Sequence, residues 1–105
     1  MSAIVVTKEL NPRGGRYVAK IAGIADEAEL TFTQRDPALI SADHTGAPEA
    51  LKGTGAAAAL VDHLIAEARA TPFRIIPYCP FVRARYLKHP EWQDVMTVAP
   101  GEMPE

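Results

Sequence analysis

From Ala56 to Ala70 the chain holds neither glycine nor proline, and Ala57, Leu60, Val61, Leu64, Ile65 and Ala68 recur at spacings of three and four residues. That period puts the apolar side chains on one stripe of an α-helix, and the residue types favour helix throughout. Asp62, His63, Glu67 and Arg69 fall on the opposite side, where His63 reads as solvated. Thr71-Pro72 ends the run, because proline pushes the residue before it out of helical geometry. An amphipathic helix of this kind needs a surface to bury its stripe against.

The first half of the chain supplies one. Ile4 to Thr7 is a β-branched run, followed by the turn residues Asn11-Pro12-Arg13-Gly14-Gly15. Arg16 to Ala22 alternates, with Tyr17, Ala19 and Ile21 on one face and Val18 and Lys20 on the other. Gly23 to Glu27 reads as a connection, Leu30 to Thr33 as a half-buried strand, and Asp36-Pro37 as a turn. Leu39 to Thr45 predicts a fourth strand, ended by Gly46-Ala47-Pro48. Beyond the helix, Phe73 to Tyr78 predicts a short strand and Phe81 to Lys88 a second helix, halted by His89-Pro90. The order is β-β-β-β-α-β-α. It describes an α+β fold in which an antiparallel meander is extended by one strand reached through a crossover. Residues 1–98 form the expected single domain, and residues 99–105, with Pro100, Gly101 and Pro104, read as a disordered tail.

Composition narrows the function classes. A chain of 105 residues suits one domain. A formal net charge of -2 gives no reason to expect nucleic acid or an anionic membrane as partner. Arg69, Arg74, Arg83, Arg85 and Lys88 do cluster in the second half, either as a solvated face or as cations near a phosphorylated ligand. Cys79 is the only cysteine, so no internal disulfide forms, and the first residues lack the pattern of a signal peptide. Both fit a cytoplasmic protein. The three histidines and one cysteine show no metal-ligand spacing. Nothing bears on assembly beyond a monomer or small homo-oligomer.

The chemistry concentrates at Lys52-Gly53-Thr54-Gly55-Ala56-Ala57, between the fourth strand and the long helix. The first N–H groups of a helix have no partner within it, and the helix dipole adds partial positive charge there. Small residues let a bulky anion approach the main chain, which suits a pyrophosphate. A P-loop is excluded, since Ala56-Ala57 supplies neither its lysine nor its hydroxyl. Gly53, Gly55 and Ala58 fit a loose dinucleotide pattern, but the loop follows several strands and no acidic residue lies between Arg69 and Lys88. A plain turn before an alanine-rich helix is the remaining structural alternative.

The loop resembles motif A of the GNAT superfamily of N-acetyltransferases, Q/R-x-x-G-x-G/A. Lys52 takes the first position, Gly55 the central glycine and Ala57 the last small residue. Lysine there keeps the charge and loses the planar fork of arginine. Together with His44-Thr45, Pro48-Glu49, Pro77-Tyr78-Cys79-Pro80-Phe81-Val82 and His89-Pro90-Glu91-Trp92, the chain is similar to the minimal single-domain GNAT-like subfamily, roughly from Tyr17 to Trp92. The resemblance implies a GNAT-like fold, a mixed and mostly antiparallel sheet flanked by two helices and splayed between the fourth strand and the strand at Arg74 to Tyr78. Acetyl-CoA would enter that gap as cosubstrate, on Thr45, Lys52, Gly53, Thr54, Gly55, Ala56, Ala57, Cys79 and Arg83. The activity implied is acetyl transfer to an amine, borne by a small molecule or by a protein lysine or N-terminus. The alternative is a catalytically silent CoA-binding module that acts as a sensor or interaction domain.

Three residues are candidates for the chemistry. Tyr86 and Cys79 occupy positions that hold Tyr and Asn in the broader superfamily, so the resemblance implies that Tyr86 protonates the leaving thiolate. A tyrosine packed on the sheet is the plainer reading. Cys79 is either a nucleophile that accepts the acetyl group or a residue lining the thiol end of the site, held between Pro77 and Pro80. A small buried apolar residue is its structural reading. His44 is the candidate base, since histidine titrates near neutrality. His89 reads as a cap on the last helix, and Trp92 as a core residue rather than an adenine platform. The helices that other GNAT proteins place after the first strand are missing, which implies an open acceptor surface.

Overall fold

The strand signals of the first half become an antiparallel meander of β1 (Ile4–Asn11), β2 (Gly14–Ile21), β3 (Ala28–Asp36) and β4 (Leu39–Gly46). This is a computed structural model and describes residues 3–105; Met1 and Ser2 of the expected domain lie outside the described residues. β1 runs four residues beyond the expected Thr7, because its pairing with β2 continues to Asn11 opposite Gly14. A two-residue turn at Pro12-Arg13 closes the hairpin. The Asn11 side-chain oxygen accepts from the N–H groups of Arg13 (2.9 Å) and Gly14 (3.0 Å).

The helix α1 spans Ala56–Ala70, as its period predicts, and returns the chain to β5 (Arg74–Pro77). β5 pairs in parallel with β4, from Leu39 opposite Arg74 to Ala42 opposite Pro77. The crossover is required because strands in parallel cannot be joined by a tight turn. α2 (Pro80–Lys88) follows, with Pro80 at its first turn, where a missing N–H costs no hydrogen bond. A 3₁₀ segment, Pro90–Val95, completes the core. The sheet order is β1-β2-β3-β4-β5, mixed and mostly antiparallel with two helices, as the GNAT resemblance implied.

The core lies between one sheet face and these helices. Tyr17, Ala19, Leu30, Phe32, Ile40, Ala42 and Ile75 meet Leu60, Val61, Leu64, Ile65 and Ala68 of α1 and Val82 and Tyr86 of α2. The buried stripe of α1 starts at Ala56; Ala57, expected there, is only half-buried. α2 lies beside α1, with Arg85 Nη2 3.4 Å from Asp62 Oδ1. Trp92 packs into the core, 6% exposed, with His89 stacked on it at 4.6 Å between ring centres. His63, expected in solvent, packs edge-on against Tyr17 at 5.5 Å. Residues 97–105 hold no helix or strand. Val98 and Glu105 accept hydrogen bonds through their carbonyls from the hydroxyls of Tyr86 (2.7 Å) and Tyr78 (2.8 Å).

A candidate cofactor cleft at the fork of the sheet

The pairing of β4 with β5 stops at Ala42 and Pro77, while β4 runs on to Gly46. The two strands therefore part into a fork. One further backbone bond holds its base, from Cys79 N–H to Ala42 O at 2.8 Å.

A bulge in β4 decides what faces the fork. Leu30 pairs with Thr45 and Thr31 with His44, but Phe32 pairs with Ala42, so Asp43 is the extra residue. Leu30 is a core residue, so Thr45, its partner, sits on the helix side of the sheet. Asp43 and His44 turn to the other face, where His44 is exposed. The Asp43 carboxylate accepts there from the hydroxyls of Ser41 (2.8 Å) and Thr33 (2.5 Å). His44 and Thr45, both anticipated at the site, thus lie on two faces of the sheet.

Below the fork the loop before α1 turns through two left-handed glycines, Gly53 at φ +78° and Gly55 at φ +86°. Thr54 holds the turn from within: its N–H and hydroxyl both donate to Leu51 O, and its hydroxyl oxygen accepts from Ala56 N–H at 3.3 Å. Gly55 is the N-cap and supplies no side-chain cap, and the first turn of α1 contains no acidic residue. The first helical bond runs from Ala59 N–H to Gly55 O at 2.9 Å. The amides of Ala57 and Ala58 come before it, so they face outward with the positive end of the helix dipole.

These parts enclose a cleft of about 360 Å³. Lys52, Gly53, Gly55 and Ala56 to Ala58 form one side, Thr45 lies at the fork, and Ala47, Leu51 and Phe81 give apolar walls. That size and mix are usual for a small-molecule site. A Cβ built on Gly53 or Gly55 meets no atom within 4 Å, so the main chain there is bare. A larger cavity, about 490 Å³, lies beside Phe73, Arg74 and Asp94. No helix N-terminus opens into it and its Arg69 is paired with both Asp94 oxygens, so the smaller cleft is the better anion site.

The other anticipated residues are distributed around this cleft. Cys79 is 2% exposed and lies behind Thr45, with Sγ and Thr45 Oγ1 sharing a hydrogen bond at 3.2 Å. Arg83 does not line the cleft; its Nη1 donates to the carbonyls of Pro77 (3.0 Å) and Tyr78 (2.5 Å) and so fixes the β5–α2 turn. Thr54 is spent within the loop. Lys52 Nζ rests on Glu49 at 2.9 Å at the exposed rim. Tyr86 is fully buried and gives its hydroxyl proton to Val98 O, away from the residues that line the cleft. Burial raises its pKa above the ordinary phenol value. Phe81, Leu51 and Ala47 were missed as walls, although the Cys-Pro-Phe-Val segment that positions Phe81 was in view. No group of three or more His, Cys, Asp or Glu among the described residues could hold a metal ion. Likewise, no helix among them is long and apolar enough to cross a membrane.

Comparison with known proteins adds one finding. No curated protein matches the chain. The model of the GCN5-related N-acetyl-transferase family matches residues 16–95, which takes in the meander from β2, the glycine loop, the fork and both helices. With that match over most of its length, the chain belongs to the family of GCN5-related N-acetyltransferases.

Proposed function

We propose that this chain is an acetyl-CoA-dependent N-acetyltransferase. The observation that carries the reading is the uncapped, glycine-flanked N-terminus of α1, opening into a cleft that ends at the strand fork. A pyrophosphate fits the bare main chain of Gly53 to Ala58, and Lys52 is free to exchange its Glu49 partner for a phosphate oxygen. A pantetheine arm fits the walls of Ala47, Leu51 and Phe81. The thioester then belongs at Thr45, with Cys79 behind it.

The acceptor amine is a small molecule or a protein lysine or N-terminus. Its nitrogen attacks the thioester carbonyl, the C–S bond breaks, and the amine proton is lost to a base. His44 is the base in this reading, reached from the exposed sheet face beside the fork. Cys79 backs the thiol end from behind Thr45 rather than carrying the acetyl group, since its buried Sγ is already hydrogen-bonded to Thr45. A lone reduced thiol there suits the cytoplasm.

The silent CoA-binding module has one observation in its favour, the engagement of the Tyr86 hydroxyl with Val98. One experiment separates the two. Calorimetry with acetyl-CoA and CoA is expected to give saturable binding, and free thiol should accumulate when an amine panel is added. Binding without transfer to any amine would favour the module, and no heat with millimolar ligand would remove both readings. Cys79→Ala is expected to retain turnover, with no acetyl adduct on the wild-type protein by intact mass. An adduct that disappears in the variant would make Cys79 the nucleophile instead.

A further inference from the structure

We propose that the contact between Thr45 and Cys79 sets the acyl length this chain accepts, admitting acetyl and rejecting butyryl and longer groups. The inference rests on the reading of the cleft as a CoA thioester site. Its two ends differ in chemistry. Phosphate belongs on the amides that follow Gly53 and Gly55, so the acyl end is assigned to Thr45, the lining residue that the strand fork supplies.

That limit is closed on the inner side. Cys79 is tied to β4 twice, by its N–H to Ala42 O at 2.8 Å and by its Sγ to Thr45 Oγ1 at 3.2 Å. Cys79 is 2% exposed, and Ala42 and Leu30, the cross-strand partner of Thr45, are fully buried. Cys79, Ala42 and Leu30 thus back Thr45 on the core side with buried, contacting atoms. A two-carbon group can rest against the Thr45 methyl and hydroxyl. A longer chain has to displace that methyl or break the Thr45–Cys79 bond, in an interior as dense as a molecular crystal. Each unaccommodated methylene in such a site is worth roughly 10-fold or more in discrimination.

The test is equilibrium binding of CoA and its acetyl, propionyl, butyryl and hexanoyl thioesters to the wild-type protein and to Thr45→Ser, Thr45→Ala and Thr45→Gly. Wild type is expected to bind CoA and acetyl-CoA comparably and butyryl-CoA about 10-fold or more weakly. Thr45→Ser keeps the oxygen that meets Cys79 but loses the methyl, and should keep only part of the discrimination. Thr45→Gly should lose most of it; if that variant fails to fold by circular dichroism, Thr45→Ala takes its place. Butyryl-CoA binding as tightly as acetyl-CoA, or discrimination unchanged in the opened variant, overturns the proposal. CoA, which has no acyl group, reports on the cleft alone. Failure of CoA itself to bind removes the thioester reading together with this inference, whereas CoA binding with a flat acyl series removes only the inference.

Discussion

The hydroxyl of Tyr86 donates to Val98 O at 2.7 Å, a bond that favours a packing role for the side chain over an acid role. Spacing along α2 made Tyr86 a candidate acid seven residues after Cys79. Spacing could not show that residues following the 3₁₀ segment return to accept the phenol proton. Burial also raises the phenol pKa, which makes it a weaker acid for a leaving thiolate. Tyr86→Phe is therefore expected to keep turnover within about 2-fold and to lose about 1 kcal/mol of stability, the usual worth of one neutral hydrogen bond. Steady-state kinetics beside a urea titration measures both, and a turnover loss of about 100-fold at unchanged stability would return the acid role to Tyr86. Glu67 shows the same limit of local reading. Its place on the polar side of α1 named no partner for it, yet Tyr17 Oη (2.9 Å) and Lys8 Nζ both donate to it from strands more than forty positions away in sequence.

At the scale of elements, legibility followed range. α1 was readable to the residue because its signals are local: a run without glycine or proline, an apolar period, and Thr71-Pro72 at its end. β1 was underestimated, since Lys8, Glu9 and Leu10 are strand residues only through their partners Tyr17, Arg16 and Gly15. The bulge at Asp43 was out of reach for the same reason. It is a register shift between β3 and β4, and register is a property of the pair. That one extra residue sends Thr45 to the cleft and His44 to the opposite face, so the site was legible as a segment but not by side. The glycine loop was legible because the chemistry needs backbone there rather than side chains. Gly55→Ala tests this directly. An alanine at φ +86° is strained by about 1–2 kcal/mol, but its Cβ meets nothing within 4 Å, so no clash adds to the cost. Modest destabilisation is expected, with CoA affinity reduced about 10-fold or more where the methyl enters the anion site. Calorimetry alongside thermal unfolding reads the two separately, and unchanged affinity would move the phosphate elsewhere.

At the scale of the molecule, helices cover one sheet face among the described residues, and side-chain ties between elements make stability depend on pH at both extremes. β1 and β2 are joined to α1 through Lys8, Tyr17 and Glu67, and α1 to the 3₁₀ segment through Arg69 and Asp94. Burial alone would raise the Glu67 pKa, but the bonds from Lys8 and Tyr17 outweigh it and hold the carboxyl below its ordinary value near 4.5. A lowered carboxyl stabilises the fold above the unfolded value, and that contribution is lost as pH falls through the folded one. The Arg69–Asp94 pair works in the same direction, but both partners are well exposed and water screens it, so Glu67 dominates the acid side. The alkaline side has the opposite sign. Burial first, then the bond to Glu67, raises the Tyr17 phenol far above its ordinary value of 10, and burial raises Tyr86 as well. Both phenols stay neutral in the fold while the unfolded chain ionises. Their contribution is full below pH 10 and declines as pH rises beyond it. Urea unfolding across pH is thus expected to show a plateau bounded by acid loss below about pH 4.5 and alkaline loss above about pH 10. Tyr17→Phe should be less stable on the plateau and should decline less steeply above pH 10, because one buried phenol no longer separates the two states. An alkaline limb identical to that of the wild-type protein would place its cause outside the Tyr17–Glu67 tie.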